Sequence, residues 1–318
     1  MKLTLYFVTR FVLIYLAFVN ITPVYSQAQL FEKKVFVYKE VNNHEIKANI
    51  FIPNIKQQHP VVVYFHGGGF IFGNRDEGLE DVLRDKLLAN HYAVVSADYR
   101  LAPETKLDEI LKDVSDIIKW LQKNGTKQFN IDSTKMAILG GSAGGYLALS
   151  TGYNVQPSPQ AIIAISTPTD FSKASTQKGD ETILKQPGPY DIVSDTIVSH
   201  GDYDARLNLW RFLAKHRLIL SEVFGFDVSQ DTSRLKNFML TKNITADYPP
   251  TLLIHAKNDR LVPLPQVEQF ETFLKGMDVE SELFLVEEGH STQLIRDNPD
   301  ALDKIVSFLD KYLEGEIK

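Results

Sequence analysis

The chain contains no cysteine. That excludes disulfides, thiolate-ligated zinc, a cysteine nucleophile and lipidation of an N-terminal cysteine. Long runs of one charge sign are also missing. The 34 basic and 40 acidic residues leave a net charge of −6, spread along the sequence, so there is no electrostatic footprint for nucleic acid. No internal repeat and no low-complexity tract occurs. What the 318 residues do have is apolar content, 44% of them, enough for one large core. Two domains would fit this length, but single α/β domains commonly reach it.

The N-terminus reads as a targeting segment. Lys2 and Arg10 precede or flank the apolar run from Phe11 to Val19, and Val24 and Ser26 are placed as the small residues of a cleavage site before Gln27. Residues 1–26 are therefore expected to be a secretory signal, and residues 27–318 the folded part. The alternative is an uncleaved membrane anchor, because Leu3 to Val8 is also apolar. A spanning helix, however, wants about 20 uninterrupted apolar residues. Secretion or a periplasmic location is the expectation, with no stable membrane span after cleavage. Export without cysteine points to a bacterial envelope or secreted protein stabilised by its core.

After this segment, hydrophobic periodicity alternates between strand and helix. Lys34–Val41 and Glu45–Ile52 form an expected hairpin across Asn42-Asn43. Val61–Phe65, Tyr92–Ala97, Lys135–Leu139, Ala161–Ile165, Thr251–His255 and Glu282–Val286 read as strands. Helices are expected over Gly78–Asn90, from Leu107 to near Asn124-Gly125, over Ala143–Thr151 and Val267–Leu274, and from about Ala301 to Leu313. The alternation predicts a mostly parallel sheet with helices on both faces and an antiparallel edge from the hairpin. The rhythm breaks at about 171–248, a stretch too apolar to be disordered, with Leu207, Trp210, Phe212, Leu213 and Val223 in a helix-like run. It reads as an inserted helical cap.

The sharpest motif is Gly140-Gly141-Ser142-Ala143-Gly144-Gly145, between the strand Lys135–Leu139 and the helix from Ala143. A serine at the apex of a strand–turn–helix with small residues on either side is held with its hydroxyl exposed at a helix N-terminus. Neither a Walker lysine nor dinucleotide-binding spacing accompanies the glycines, which removes phosphate binding as the alternative. Ser142 is the candidate nucleophile. A second glycine run, His66-Gly67-Gly68-Gly69-Phe70, follows the strand Val61–Phe65. Consecutive glycines let backbone amides approach a developing oxyanion, so Gly67, Gly68 and Ala143 are the expected donors. His66 precedes the nucleophile and is expected to fix the loop.

A serine nucleophile needs a base, and the base an orienting carboxylate. Asp259 lies just past the strand Thr251–His255, and His290 just past Glu282–Val286. Both fall at the sheet edge that holds Ser142. Of the eight histidines, His290 alone follows the acid and sits in a glycine-led loop. Asp170, one strand earlier, is the rival acid. Glu287 and Glu288 read as solvated charges.

Together these segments resemble the hormone-sensitive-lipase-like branch of the α/β-hydrolase superfamily. His66 to Phe70 is similar to its oxyanion motif, Asp98-Tyr99-Arg100-Leu101-Ala102-Pro103-Glu104 to a segment typical of these enzymes, and Gly140 to Gly145 to the elbow. Many members carry Asp where this chain has Gly141, which brings the elbow closer to secreted acetylxylan- and feruloyl-esterase-like relatives. The resemblance implies an α/β-hydrolase fold and an esterase without cofactor, acting on short-chain esters of small molecules or carbohydrates. No metal site is read from the sequence. Asp98, Tyr99, Arg100 and Glu104 are read as bracing the loop after a strand. Two other readings stand beside the esterase. One is an exported serine peptidase of the prolyl-oligopeptidase type; the other is a non-catalytic binding protein on the same fold.

Overall fold

The computed structural model describes residues 31–172 and 203–314. The expected signal segment lies outside the described residues, as does 173–202 within the expected cap. Strands β1 (Phe31–Val41) and β2 (His44–Pro53) pair antiparallel across Asn42 and Asn43. Both turn residues have positive φ, 50° and 65°, which asparagine tolerates and which matches the twist of a two-residue hairpin. Then follow β3 (His59–Phe65), α1 (Asp81–Ala89), β4 (Ala93–Ala97), α2 (Leu107–Phe129), β5 (Ile131–Gly141), α3 (Ala143–Asn154) and β6 (Ala161–Ile165). After the insertion come β7 (Thr251–Ala256), α8 (Leu264–Gly276), β8 (Ser281–Val286), a short α9 (Gln293–Arg296) and α10 (Pro299–Leu309). Within the insertion lie α4 (Tyr203–Lys215), α5 (Ile219–Phe224), α6 (Thr232–Leu235) and α7 (Leu240–Asn243).

The eight strands form one sheet in the order β1-β2-β4-β3-β5-β6-β7-β8. β2 meets β4 antiparallel, and every pairing from β4 onward is parallel. The apolar runs of the central strands are buried throughout because both faces are covered. Val61, Val63 and Phe65 of β3 enter the core under α2, α3 and α8, whereas Val62 and Tyr64 face α1 and α10. At about 1.5–3 kcal/mol for each fully buried large side chain, these two layers fix strand register, because a one-residue slip would exchange them.

Two helix ends differ from the sequence expectation. α2 does not end near Asn124-Gly125 but runs on to Phe129, and Asn130 closes it in the left-handed conformation at φ 53°. Gly125 is inside the helix because a Cβ there would stand 2.6 Å from Ile131 Cδ1. The glycine therefore lets the helix lie close against the start of β5, and packing outweighs its poor helix propensity. The last helix also differs: α10 ends at Leu309 and a single wider π turn covers Asp310–Glu314.

The helices of the insertion are fastened to the sheet by aromatic and polar contacts. Phe171 packs edge-on against Tyr146 of α3 (4.8 Å between centroids) and Phe224 of α5 (5.3 Å). Tyr146 donates its hydroxyl to the Phe238 carbonyl at 2.7 Å. Among the described residues no helix is long and apolar enough to cross a membrane.

Candidate active site

β3, β5, β7 and β8 run parallel, so the loops leaving their C-terminal ends share one edge of the sheet. At the end of β5 the chain turns through Ser142, whose φ of 54° and ψ of −122° are sparsely populated for any residue but glycine. The turn closes so tightly that a Cβ on Gly140 would lie 2.1 Å from the Gly144 carbonyl oxygen. A Cβ on Gly144 would lie 2.1 Å from the Phe65 oxygen, where β3 exits. Small residues on both sides of the serine are thus a packing requirement, as the sequence implied.

Ser142, His290 and Asp259 come together. His290 Nε2 is 3.0 Å from Ser142 Oγ, and His290 Nδ1 is 2.8 Å from Asp259 Oδ2. Because a carboxylate only accepts, Nδ1 carries the proton and Nε2 presents its lone pair to the serine. The second Asp259 oxygen accepts the amides of Leu261 (2.8 Å) and Val262 (2.9 Å). Burial alone would raise the Asp259 carboxyl. The hydrogen bond and charge of His290, with those two amides, outweigh it and hold the group below its ordinary 3.8. The acid is therefore ionised at neutral pH. Beneath it, fully buried His255 donates Nε2–H to the Val262 carbonyl at 2.9 Å, steadying the same turn. The rival Asp170 instead accepts the Ser172 amide and hydroxyl at 2.9 and 2.5 Å.

Gly67, Gly68 and Ala143 line the same cavity as Ser142 and His290. Their amides donate to no acceptor among the described residues, and Ala143 opens α3, where the first amides lack intrahelical partners. His66 turns away from the chemistry. It is buried and stacked on Tyr99 at 4.2 Å, and its Nδ1 meets the Gly67 carbonyl at 2.8 Å. Burial pushes its imidazole down to about 4, so it is neutral. Tyr99 also donates to the His66 carbonyl at 2.8 Å. Asp98 receives the Arg75 amide, and Arg100 grips Asp113 through Nε and Nη2, both at 2.8 Å. These are the bracing contacts anticipated for that segment.

The cavity holds about 780 Å³. Phe171, Trp210, Ile219 and Val228 give it an apolar wall from the insertion, and Glu77 and Glu80 also line it. Trp210 stands against Gly69, where a Cβ would meet its Nε1 at 2.6 Å. Phe212, two residues on from Trp210, packs on His216 at 4.4 Å. Sequence reasoning missed Arg206. This residue of α4 is nearly buried, donating to the Ile71 and Ala102 carbonyls and to both Glu104 oxygens. The same helix also carries Asp204, Asn208 and Arg211, so nothing in the sequence singled Arg206 out. Ser291 and Thr292, which follow His290 in the chain, were missed too.

A family model described as BD-FAE matches residues 48–274, well over half of the chain. The chain belongs to the BD-FAE family. Among curated relatives, "Probable carboxylesterase M8" of Phoma sp. is 25% identical over 280 residues, covering 78% of this chain and 85% of that protein. "Non-reducing polyketide synthase ascC" of Acremonium egyptiacum is 29% identical over 172 residues, which is 50% of this chain. That alignment takes in 8% of the synthase, so the chain spans under a tenth of the length of the first curated relatives it matches. Among solved structures, a Pyrobaculum calidifontis esterase superposes with a TM-score of 0.63 at 24% identity, over 88% of this chain and 85% of that one. The α/β-hydrolase fold and the resemblance to its esterase branch, both expected from the motifs, are borne out for this BD-FAE member.

Proposed function

We propose that this protein is a carboxylic-ester hydrolase that works through an acyl-enzyme on Ser142. The observation that carries this reading is the serine–imidazole–carboxylate relay, at 3.0 and 2.8 Å, opening into a cavity lined by three residues whose amides find no acceptor among the described residues. His290 Nε2 takes the Ser142 proton as Oγ attacks the ester carbonyl carbon, while Asp259 stabilises the imidazolium. The Gly67, Gly68 and Ala143 amides receive the oxyanion. As the tetrahedral adduct collapses, the imidazolium protonates the departing alcohol. Water then enters, gives its proton to His290 and releases the acid, restoring Ser142. The apolar wall from α4 and α5 caps the site and favours short or compact acyl groups. Short-chain or acetyl esters, including those on carbohydrates, are the proposed substrates. Export, supported by the basic and apolar start of the sequence, is proposed with it.

The test is labelling by a fluorophosphonate together with a panel of nitrophenyl esters, acetylated xylan, feruloylated oligosaccharides and peptide anilides. Wild type is expected to be labelled and to turn over esters in preference to anilides. Ser142→Ala should fold normally and lose both properties. Unchanged ester turnover in that variant sinks the assignment, preference for anilides makes the protein a peptidase, and no labelling of wild type makes it a binder.

A further inference from the structure

Two neighbouring residues of the site have the side chains that each other's backbone would suit. Ser291, directly after His290, has φ 58°, a conformation glycine adopts freely and serine seldom does. Gly141, directly before Ser142, is outside the left-handed region, so its backbone would accept any residue. Space explains the exchange. A Cβ on Gly141 would stand 2.4 Å from Ser291 Oγ and 3.2 Å from both the amide nitrogen and Cγ2 of Thr292. The same hydroxyl lies 3.5 Å from where a Cβ on Gly67 would be. Ser291 therefore fills the gap between the elbow and the amide loop, in the wall of the cavity that contains Ser142 and His290.

The far end of the histidine loop is tied independently. Buried Thr292 donates its hydroxyl to the Gly78 carbonyl at 2.6 Å, and Tyr64 of β3 donates to that same oxygen at 2.6 Å. A loop tied at 292 and wedged at 291 has little freedom to carry His290 away from Ser142.

We infer that Ser291 is a positioning residue, whose side chain takes the volume Gly141 leaves and sets the spacing between the His290 loop and the nucleophile elbow. The strained backbone at 291 is retained because glycine there would leave that volume empty, and glycine is retained at 141 because any side chain would collide with the wedge. The inference uses the ester-hydrolase reading only for its activity readout.

A double-mutant cycle of Gly141→Ala and Ser291→Gly tests it, with kcat, KM and Tm measured on nitrophenyl acetate. S291G is expected to keep or raise Tm, since strain is relieved, while kcat falls about tenfold at nearly constant KM. G141A is expected to lose about a hundredfold in kcat and to melt lower. The pair together should recover most of what G141A loses, the remainder coming from the tight contact with Thr292, and that coupling is one that independent packing roles would not give. Wild-type kcat in S291G overturns the positioning role, and additive effects in the pair overturn the shared volume. If G141A alone does not fold, a double variant that folds supports the wedge and one that fails equally overturns it. Should wild type hydrolyse no ester, the functional reading falls, while the coupling in Tm still decides the steric one.

Discussion

Arg206 of α4 and Glu104 of the loop after β4 face each other through paired hydrogen bonds of 2.8 and 2.9 Å, both side chains at most a tenth exposed. The same guanidinium also donates to the Ile71 carbonyl, two residues beyond the last glycine of the amide loop. One side chain thus couples the insertion to the loop expected to hold the oxyanion.

Removing one partner of this pair should be costly, because the other charge would stay buried. Arg206→Met is expected to lower stability by about 3–5 kcal/mol. Glu104→Leu combined with Arg206→Met should cost clearly less than the sum of the single changes. Urea denaturation of the three variants measures this, and strict additivity would show that the two groups act independently.

Asp259→Asn should leave the fold in place while disabling the base. An amide can donate to His290 Nδ1, which shifts the ring proton to Nε2, where the lone pair is needed for Ser142. On that basis kcat should fall by about four orders of magnitude with little change in KM. A decline of less than tenfold in kcat on nitrophenyl esters would mean that another group orients the imidazole.

Acidification should destabilise the protein through His66. Its imidazole titrates near 6.5 when unfolded but is pushed down by burial to about 4 in the fold. The unfolded chain therefore binds the proton first, and stability present above pH 6.5 is lost as pH falls toward about 4. The loss from this group is about 3 kcal/mol. His255, also lowered by burial, acts in the same direction. Denaturation midpoints at several pH values in this window provide the check, with His66→Asn flattening the dependence. A flat wild-type profile would show that His66 is protonated without unfolding.

Much of this architecture was legible in the sequence because strong local signals coincided with it. The apolar runs at Val61–Phe65 and Ala161–Ile165 could only be doubly covered strands. The glycines around Ser142 and the order of Asp259 and His290 indicated one shared edge. The end of α2 was misjudged because Gly125 serves a contact with Ile131, and a contact between elements leaves no periodic trace. Arg206, Ser291 and Thr292 escaped for the same reason. Their partners at Glu104, Gly141 and Gly78 lie 102, 150 and 214 positions away, and only folding brings them together.

The near-contact of Gly144 with the carbonyls of Phe65 and His66 has a bearing on how such a site diversifies. At Gly144 the elbow and the glycine loop that carries the proposed anion-binding amides rest main chain on main chain. Mutations that reshape the wall at Ile219 and Val228 therefore need not disturb that contact, whereas Trp210 presses on Gly69 of the same loop. On the proposed mechanism, the part of the wall that does not touch the glycine loop can change across generations while the seat of that loop on the elbow is inherited.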